Sequence, residues 1–385
     1  MTLSRREVLI ILILFALTRA ALTIVGAITV QTVPSTEGAE YTHLLDDVPA
    51  LDMWYRWDAG FYTSIAEYGY DWFNDRQPTA DLAFFPLYPT AIRAASTLIG
   101  FSETGCWLSV YRSTCTTIGG LIVSNLALLA SAFLLYDLAR ARFGGRAAIW
   151  SVVLLLITPN LIFLSGVYTE SLFLLLCLLT FWLIERGRFY PALLPAILAC
   201  LTRSVGIALF PALLYAAWRA PADQRWRRVM ATFVLPLTFG GWIVFAGLIA
   251  GDPLAYFSAY QTTWGRASSS PLEAFTLYFS GEDVALLGWW VSWIDLAAAL
   301  GYLALGIWTL RQDQAWGLFT LSAVIIPIAT GTLLSMPRFG AALFPFYILL
   351  GAWADRRWKQ ALLIVVCLGL GFIFVTRFVT WRWIA

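Results

Sequence analysis

The chain has 385 residues, of which 60% are hydrophobic and only 12% are charged, and its mean hydropathy is +0.75. Soluble globular chains carry about 45–50% apolar and about 25% charged residues, so this composition excludes a soluble enzyme. The net charge is +2, and 24 of the 25 basic residues are arginine, with no basic stripe of the kind that binds nucleic acid. We therefore expect a membrane protein with no nucleic-acid partner.

Apolar windows between charged clusters predict eleven membrane-spanning helices. About 20 mainly apolar residues cross the roughly 30 Å of hydrocarbon in a bilayer. The windows lie near residues 8–30, 116–136, 147–160, 168–184, 189–202, 204–218, 229–250, 286–310, 315–334, 338–353 and 360–380. Because the first window continues past Arg19 to about Val30, we expect a retained helix rather than a cleaved signal peptide. The sequence therefore predicts an all-α polytopic membrane protein with about ten or eleven helices, in a single membrane domain over residues 1–385.

The distribution of arginine predicts the orientation of these helices. Short cytoplasmic loops carry the excess of positive charge in a membrane protein. The clusters that fall on one side are Arg5/Arg6, Arg140/Arg142/Arg146, Arg186/Arg188, Arg219/Arg225/Arg227/Arg228 and Arg356/Arg357/Lys359. We assign that side to the cytoplasm, which makes residues 31–117 a first extracytoplasmic loop and residues 251–287 a second one.

The first loop is acidic and is expected to have structure of its own. It holds eleven acidic residues and four arginines, a net charge of −7, and it is too long for a bare connector. The spacing of apolar residues predicts two amphipathic helices that lie at the membrane interface, over residues 58–68 and 87–99. The residues predicted on their apolar faces are Phe61, Ile65 and Tyr68 in the first helix, and Leu87, Ile92 and Leu98 in the second.

The cysteines and the single histidine bear on redox state and metal binding. Cys106 and Cys115 lie nine residues apart in the first loop, which is predicted to be extracytoplasmic. A disulfide and a pair of free thiols are the two alternatives, and the sequence favours neither. His43 is the one histidine, and no cluster of cysteine and histidine has the spacing of metal ligands. We therefore expect neither a bound metal nor another cofactor.

Asp58 is the first candidate for catalysis. It lies at the start of the predicted helix 58–68, where the positive end of a helix stabilises a carboxylate. Two interpretations follow from the residues alone: Asp58 acts on a substrate, or it only caps the helix, a role that aspartate fills readily. The surrounding sequence reads RWDAGFYTSIAEYGY over residues 56–70 and is followed by AFFPLYP over residues 83–89.

These two strings resemble the first-loop signature of the PIG-V family, the glycosylphosphatidylinositol second-mannose transferases and their prokaryotic relatives. Further segments that resemble the family are YTESLF at 168–173, TRSVG at 202–206, QTTWGR at 261–266, and PRF at 337–339 with the later Pro345. The resemblance implies GT-C architecture with an extracytoplasmic site. It also implies a polyprenyl-phosphate sugar donor and mannose as the sugar. The acceptor stays open among a lipid-linked glycan, a glycolipid and a protein, and we expect a lipid-linked glycan or related acceptor.

The resemblance and the chemistry of the side chains together suggest roles for individual residues. Asp58 would accept the proton of the acceptor hydroxyl in an inverting transfer. Arg203 and Arg338 would bind the donor phosphate, because arginine is always charged and presents a fork of donors. A structural ion pair with an acid such as Glu170 is the alternative for these arginines. The residues expected to bind or orient substrate are Arg56, Trp57, Asp81, Glu170, Gln261 and Trp264.

Two other classes of function compete with a transferase. Intramembrane arginine and glutamate with interrupted helices also occur in transporters and in flippases of lipid-linked sugars. We rank a transporter lower because no internal repeat is evident and the most distinctive string lies in a loop. A non-catalytic assembly subunit is the third class. The expected location is the cytoplasmic membrane of a prokaryote, or the endoplasmic reticulum membrane if the source is eukaryotic.

Overall fold

The computed structural model describes residues 3–36, 48–70, 80–102, 104–109, 112–280, 284–286 and 291–384. Some of the sequence-based interpretations concern other residues. The lone histidine, His43, and the first-loop acids Glu37, Glu40, Asp46, Asp47, Asp71, Asp75 and Glu103 lie outside the described residues.

The described chain is built almost entirely of helices. In chain order they are α1 (Arg5–Thr32), α2 (Pro49–Asp52), α3 (Ala59–Tyr68), α4 (Leu87–Leu98), α5 (Arg112–Ile157), α6 (Leu161–Ser165), α7 (Glu170–Glu185), α8 (Phe189–Cys200), α9 (Leu209–Trp218), α10 (Ala222–Thr232), α11 (Val234–Ala250), α12 (Ala255–Trp264), α13 (Glu273–Thr276), α14 (Trp293–Gln312), α15 (Gln314–Ile328), α16 (Met336–Phe339), α17 (Phe344–Trp353) and α18 (Arg357–Val379). Short 3-10 segments lie at Ala80–Ala83, Ser204–Ala208, Leu277–Phe279 and Gly340–Ala342. Two short strands, β1 (Phe101–Ser102) and β2 (Gly105–Cys106), pair antiparallel.

Each of the eleven predicted windows contains a helix, and the all-α polytopic class is confirmed. Backbone groups in hydrocarbon must bond within the chain, which is why apolar windows of this length fold as helices. The helices long and apolar enough to cross a membrane are Arg5–Thr32, Arg112–Ile157, Ala222–Ala250, Trp293–Gln312 and Arg357–Val379. Shorter apolar helices lie at Phe189–Cys200, Ser204–Trp218, Gln314–Ile328 and Phe344–Trp353. The single domain over residues 1–385 and the two extracytoplasmic loops stay predictions.

Helix α5 bends at Gly144, where φ is 81° and ψ is 175°. Glycine adopts this backbone conformation without the steric cost that other residues meet. The bend divides the 46 residues of α5 into the two helices that the sequence predicts separately. The bend lies beside Arg140, Arg142 and Arg146.

The chain forms two compact units. The first comprises Met1–Glu67, Pro89–Leu178 and Phe344–Ile384, and the second comprises Tyr68–Tyr88, Leu179–Leu343 and Ala385. In the first unit, α5 packs against α17 and α1, and α1 also packs against α18. A Cβ atom at Gly351 of α17 would lie 2.4 Å from Ser151 Oγ and 2.7 Å from the Ala147 carbonyl oxygen of α5, so this crossing requires glycine. In the second unit, α15 packs against α9 and α14.

The two predicted loop helices are present as α3 and α4. Of the residues predicted on their apolar faces, Ile65 and Ile92 are buried within the protein, whereas Tyr68 is 51% exposed and Leu98 is 88% exposed. The placement of the two helices at the membrane interface stays a prediction. The face of α4 that contains Ile92 is buried, and a Cβ atom at Gly119 of α5 would lie 3.0 Å from the Ile92 carbonyl oxygen. Contact with α5 therefore decides which face of α4 is buried.

Cys106 and Cys115 form a disulfide, with their Cα atoms 5.8 Å apart. Cys106 ends β2, and Cys115 lies in the first turn of α5. The bond therefore ties the small hairpin to the start of a long helix, and it decides between the two states that the sequence left open.

We expect Cys106 and Cys115 to react with a maleimide only after reduction. Replacing Cys115 by serine should leave the partly exposed Cys106 open to labelling without reductant. It should also lower the free energy of unfolding by about 2–3 kcal/mol, the value expected for the loss of a disulfide that closes a short loop. Intact-mass spectrometry and thermal unfolding in detergent measure both effects. Cys177→Ser is the control for labelling of a buried free cysteine. Labelling of both Cys106 and Cys115 in the unreduced protein would show that the bond is absent.

Candidate active site

Asp58 directly precedes α3 and occupies the position of its N-cap. Its carbonyl oxygen accepts hydrogen bonds from the backbone N–H groups of Phe61 at 3.1 Å and Tyr62 at 3.2 Å. The side chain is half-buried. The helix start that the sequence predicts is therefore confirmed to within one residue, and it places the carboxylate at the positive end of a helix.

The residue before Asp58 has a strained backbone. Trp57 has φ of 55°, in the left-handed region that a bulky side chain rarely adopts. Its ring lies 5.4 Å from the ring of Trp381 and 5.3 Å from the ring of Trp383. Aromatic packing on two rings therefore holds the backbone that leads into Asp58. Sequence reasoning missed this tryptophan pair, whose only signal is an aromatic WRW string after the last apolar window.

Arg56 is fully buried and is satisfied by the protein itself. Its Nη2 atom lies 2.6 Å from Asp52 Oδ2, and its Nε atom donates to the Val379 carbonyl oxygen at 3.1 Å. Asp52 is only 2% exposed. The guanidinium of Arg56 therefore links the motif to the end of α18. That Arg56 binds or orients a substrate stays a prediction. The i,i+4 spacing of Asp52 and Arg56 is a signal that could have found this pair.

The YTESLF segment meets the first-loop motif within the first unit. The Tyr168 hydroxyl donates to the Arg56 carbonyl oxygen at 2.9 Å, and the Tyr62 hydroxyl lies 3.5 Å from Thr169 Oγ1. Glu170 follows as the first residue of α7 and is fully buried. Glu170 is thus a second carboxylate at the start of a helix. It directly follows Thr169, whose side chain contacts the first-loop motif.

Arg203 lies in an extended connection between α8 and the 3-10 segment Ser204–Ala208. The turn is tight, because a Cβ atom at Gly206 would lie 2.4 Å from the Ala199 carbonyl oxygen. Glycine at this position therefore lets the chain reverse directly after Arg203. The arginine is half-buried.

Three arginines of the second unit lie near one another at Phe339 and α16. The guanidinium carbons of Arg203 and Arg266 each lie 5.4 Å from the ring centroid, and Arg338 precedes Phe339 in α16. Burial lowers the pKa of Arg266 to about 10; Tyr260 and Asp295 raise it, and Arg338 and Arg203 lower it further. We call Arg203, Arg266 and Arg338 the arginine cluster. Their mutual repulsion favours the binding of an anion, and forked donors suit a phosphate.

Arg266 and Asp295 hold the cluster in place. Arg266 Nη1 donates to Thr330 Oγ1 at 2.7 Å, and its Nη2 donates to the Leu334 carbonyl oxygen. Asp295 Oδ1 accepts from the backbone N–H of Met336 at 3.1 Å, which fixes the start of α16 and so of Arg338. Sequence reasoning missed Asp295, whose signal was an acid near the start of an apolar window.

The second-loop helix α12 contacts two of the motif segments. The Tyr260 hydroxyl lies 3.2 Å from the Ala83 carbonyl oxygen and 3.3 Å from Ser204 Oγ, and the ring of Trp264 lies 5.4 Å from that of Phe84. AFFPLYP, TRSVG and QTTWGR therefore meet in the second unit. The remaining predicted residues, Asp81 in the 3-10 segment Ala80–Ala83 and Gln261 on α12, are half-buried and exposed, respectively.

The predicted site residues thus form two groups. Arg56, Trp57, Asp58 and Glu170 belong to the first unit, and Asp81, Arg203, Gln261, Trp264 and Arg338 belong to the second. Within the described ranges, no group of three or more histidine, cysteine, aspartate or glutamate side chains could hold a metal ion. That the protein needs no metal or other cofactor stays a prediction.

Comparison with known protein families identifies the family to which these segments belong. The family described as Mannosyltransferase (PIG-V) matches residues 6–264. The chain belongs to this family. Two similar PIG-V relatives, both named GPI alpha-1,6-mannosyltransferase 2, come from Cricetulus griseus and Mus musculus and are 29% and 28% identical over 165 residues. The aligned part is 43% of this chain and 31% of each relative, so the chain spans about a third of the length of the curated relatives it matches.

A solved structure shares the fold of this PIG-V family member. ArnT from Cupriavidus metallidurans, bound to undecaprenyl phosphate, matches with a TM-score of 0.51 and 17% identity. The match covers 91% of this chain and 62% of the ArnT chain. At this identity the likeness concerns the fold alone, and it confirms the predicted GT-C architecture. The chain is therefore a multi-pass membrane protein of that architecture.

The Asp52–Arg56 pair should be essential for stability. Asp52→Asn leaves a buried guanidinium without its carboxylate, and we expect a loss of about 3–5 kcal/mol in the free energy of unfolding. Thermal unfolding in detergent measures the effect, and Asp252→Asn, an exposed aspartate, is the control. The double variant with Arg56→Gln should recover part of the loss. Equal stability of Asp52→Asn and the wild type would show that the pair does not hold the motif.

Proposed function

We propose that the chain is an inverting glycosyltransferase that moves mannose from a polyprenyl-phosphate-mannose donor to a hydroxyl of a lipid-linked glycan or related glycolipid. The observation that carries the proposal is the arginine cluster at α16 and the TRSVG turn, because three guanidinium groups suit a phosphate leaving group. Membership of the PIG-V family and the GT-C fold support it. The proposed acceptor face is the extracytoplasmic one, on the strength of the arginine distribution.

The reaction forms one bond and breaks another at the anomeric carbon. The acceptor oxygen attacks this carbon while Asp58 takes its proton, and the bond from the carbon to the phosphate oxygen breaks. The bonding electrons leave with the lipid phosphate, which gains a negative charge. Arg203 and Arg338 would stabilise that charge, and donors aimed at developing charge make one of the largest contributions in such reactions.

Several residues would orient the reactants rather than react. Arg56 and Trp57 hold the chain directly before Asp58, Arg56 through Asp52 and Trp57 through the tryptophan pair. Trp264 presents an aromatic face and Gln261 an exposed amide, both of which suit a sugar. Glu170 and Asp81 are proposed in the same orienting role. No metal is part of this proposal.

The site would face away from the cytoplasm in the plasma membrane of a prokaryote, or into the endoplasmic reticulum if the source is eukaryotic. A transporter or flippase of lipid-linked sugars is the alternative. A transporter or flippase would bind the donor without transferring its sugar to an acceptor. An assay of sugar transfer therefore distinguishes it from a transferase.

Asp58→Asn should abolish most transfer in a protein that still folds. A general base contributes about 10²–10⁴-fold, so we expect a fall of that size in kcat with little change in KM for the donor. The assay supplies polyprenyl-phosphate mannose and a lipid-glycan extract to protein in nanodiscs. Asp252→Asn is the control, since that carboxylate is exposed and caps the local backbone at Leu254 N–H. Full transfer by Asp58→Asn would move the base elsewhere, with Asp81→Asn tested next.

Arg203→Gln and Arg338→Gln should each weaken both donor binding and transfer. Removing one donor to a developing charge costs about 10²–10³-fold in kcat. The lysine variants should recover part of the loss by restoring charge without the fork. Arg227→Gln on the exposed face of α10 is the matched control. Donor affinity unchanged in both glutamine variants would contradict the phosphate role.

A further inference from the structure

A cavity of about 440 Å³ lies in the first unit, at the end of α1 where the chain begins. Its walls come from the first turns of α1 and from α5 on both sides of the bend at Gly144. Cavities of about 300–1,000 Å³ accommodate small ligands. The arginine distribution predicts that this end of the helices faces the cytoplasm. The first-loop motif is predicted on the other side of the membrane, so the cavity is not part of the proposed active site.

The polar wall of the cavity is positively charged. Arg6 and Arg146 line it and are both exposed. Arg146 donates to the Asp355 carbonyl oxygen at 3.2 Å, and a neutral acceptor leaves the charge of the guanidinium uncompensated. Two arginines in one cavity favour an anionic ligand.

The single acid in the wall is already engaged. Glu7 accepts hydrogen bonds from the backbone N–H of Ser4 at 2.7 Å and from the Tyr136 hydroxyl. Arg140 lies 3.2 Å from Glu7 and balances its charge. Glu7 therefore does not cancel the charge of Arg6 and Arg146.

The other wall is apolar. Ile10 of α1 lines the cavity together with Ile149 and Trp150 of α5. Both helices are long and apolar enough to cross a membrane. Tryptophan is typical of the membrane–water interface, where its ring lies at the depth of the headgroups. The cavity therefore has a cationic part and an apolar part in the order that a phospholipid requires.

We propose that this cavity binds an anionic phospholipid of the cytoplasmic leaflet. The phosphate lies at Arg6 and Arg146, and the acyl chains follow Ile10 and Ile149 toward the hydrocarbon. Basic pockets between membrane helices on the cytoplasmic side bind such headgroups. The site is independent of sugar transfer, because none of its residues belongs to the proposed reaction.

Native mass spectrometry and thermal unfolding of the full-length protein in detergent test the site with phosphatidylglycerol and phosphatidylcholine as probes. We expect phosphatidylglycerol to be retained and to raise Tm, and phosphatidylcholine to do neither. Arg6→Gln and Arg146→Gln should each weaken phosphatidylglycerol binding about fivefold, which corresponds to about 1 kcal/mol for one basic residue near anionic lipid. Arg142→Gln is the matched control, an exposed arginine of the same bend that does not line the cavity.

Three results would overturn the proposal. Equal retention of the two lipids would show that charge does not select the ligand. Equal weakening by Arg142→Gln and Arg146→Gln would show diffuse attraction rather than a site. Protection by glycerol 3-phosphate as strong as that by phosphatidylglycerol would show a site for a free phosphate. Arg6→Gln decides the outcome if Arg146→Gln fails to fold, because Arg6 is exposed at the chain start.

Discussion

A guanidinium that is buried in an apolar chain must replace the water that it loses, and this constraint decides how the buried arginines of this chain are bound. Arg56 recovers its hydration from the Asp52 carboxylate and from backbone carbonyl oxygens. Arg266 recovers it from a threonine hydroxyl and two carbonyl oxygens. Both are thus fixed by the protein. Arg203 and Arg338 are half-buried, and both lower the pKa of Arg266, so the three positive charges lie close together. In the proposed reaction Arg203 and Arg338 would bind the donor phosphate.

Backbone strain accompanies both groups of site residues. Over the part of the chain that the structure describes, the non-glycine residues with positive φ are Trp57, Ser335 and Trp381. Trp57 precedes Asp58, Trp381 packs on Trp57, and Ser335 precedes the helix that carries Arg338. A left-handed conformation costs about 1–2 kcal/mol for an L-residue, and it persists only where the surroundings determine it. Here the surroundings are the tryptophan pair in one unit and the bond from Met336 N–H to Asp295 in the other.

The sequence predicts the helices well because their existence depends on composition over about 20 residues, which is local information. It does not predict which apolar residues are buried by other helices. Lipid is as apolar as a protein core, so apolar residues such as Leu98 do not distinguish a face that contacts another helix from one that does not. The sequence also does not predict contacts between distant segments. Tyr168 bonds to Arg56, 112 residues away in the sequence, and Arg56 bonds to Val379, 323 residues away. The family resemblance named several of the segments, but only the fold shows which of them meet.

The pairing of Arg56 with Asp52 also bears on the chemistry two residues further along the chain. Arg56 is the cation nearest to Asp58 in the sequence, and its hydrogen bonds go to Asp52 and to carbonyl oxygens. The motif therefore carries an arginine for its rigidity while that charge is committed to another acid. The cations suited to a leaving phosphate come instead from the TRSVG turn and from α16. In the proposed reaction the base and the positive charge therefore come from separate elements of the chain.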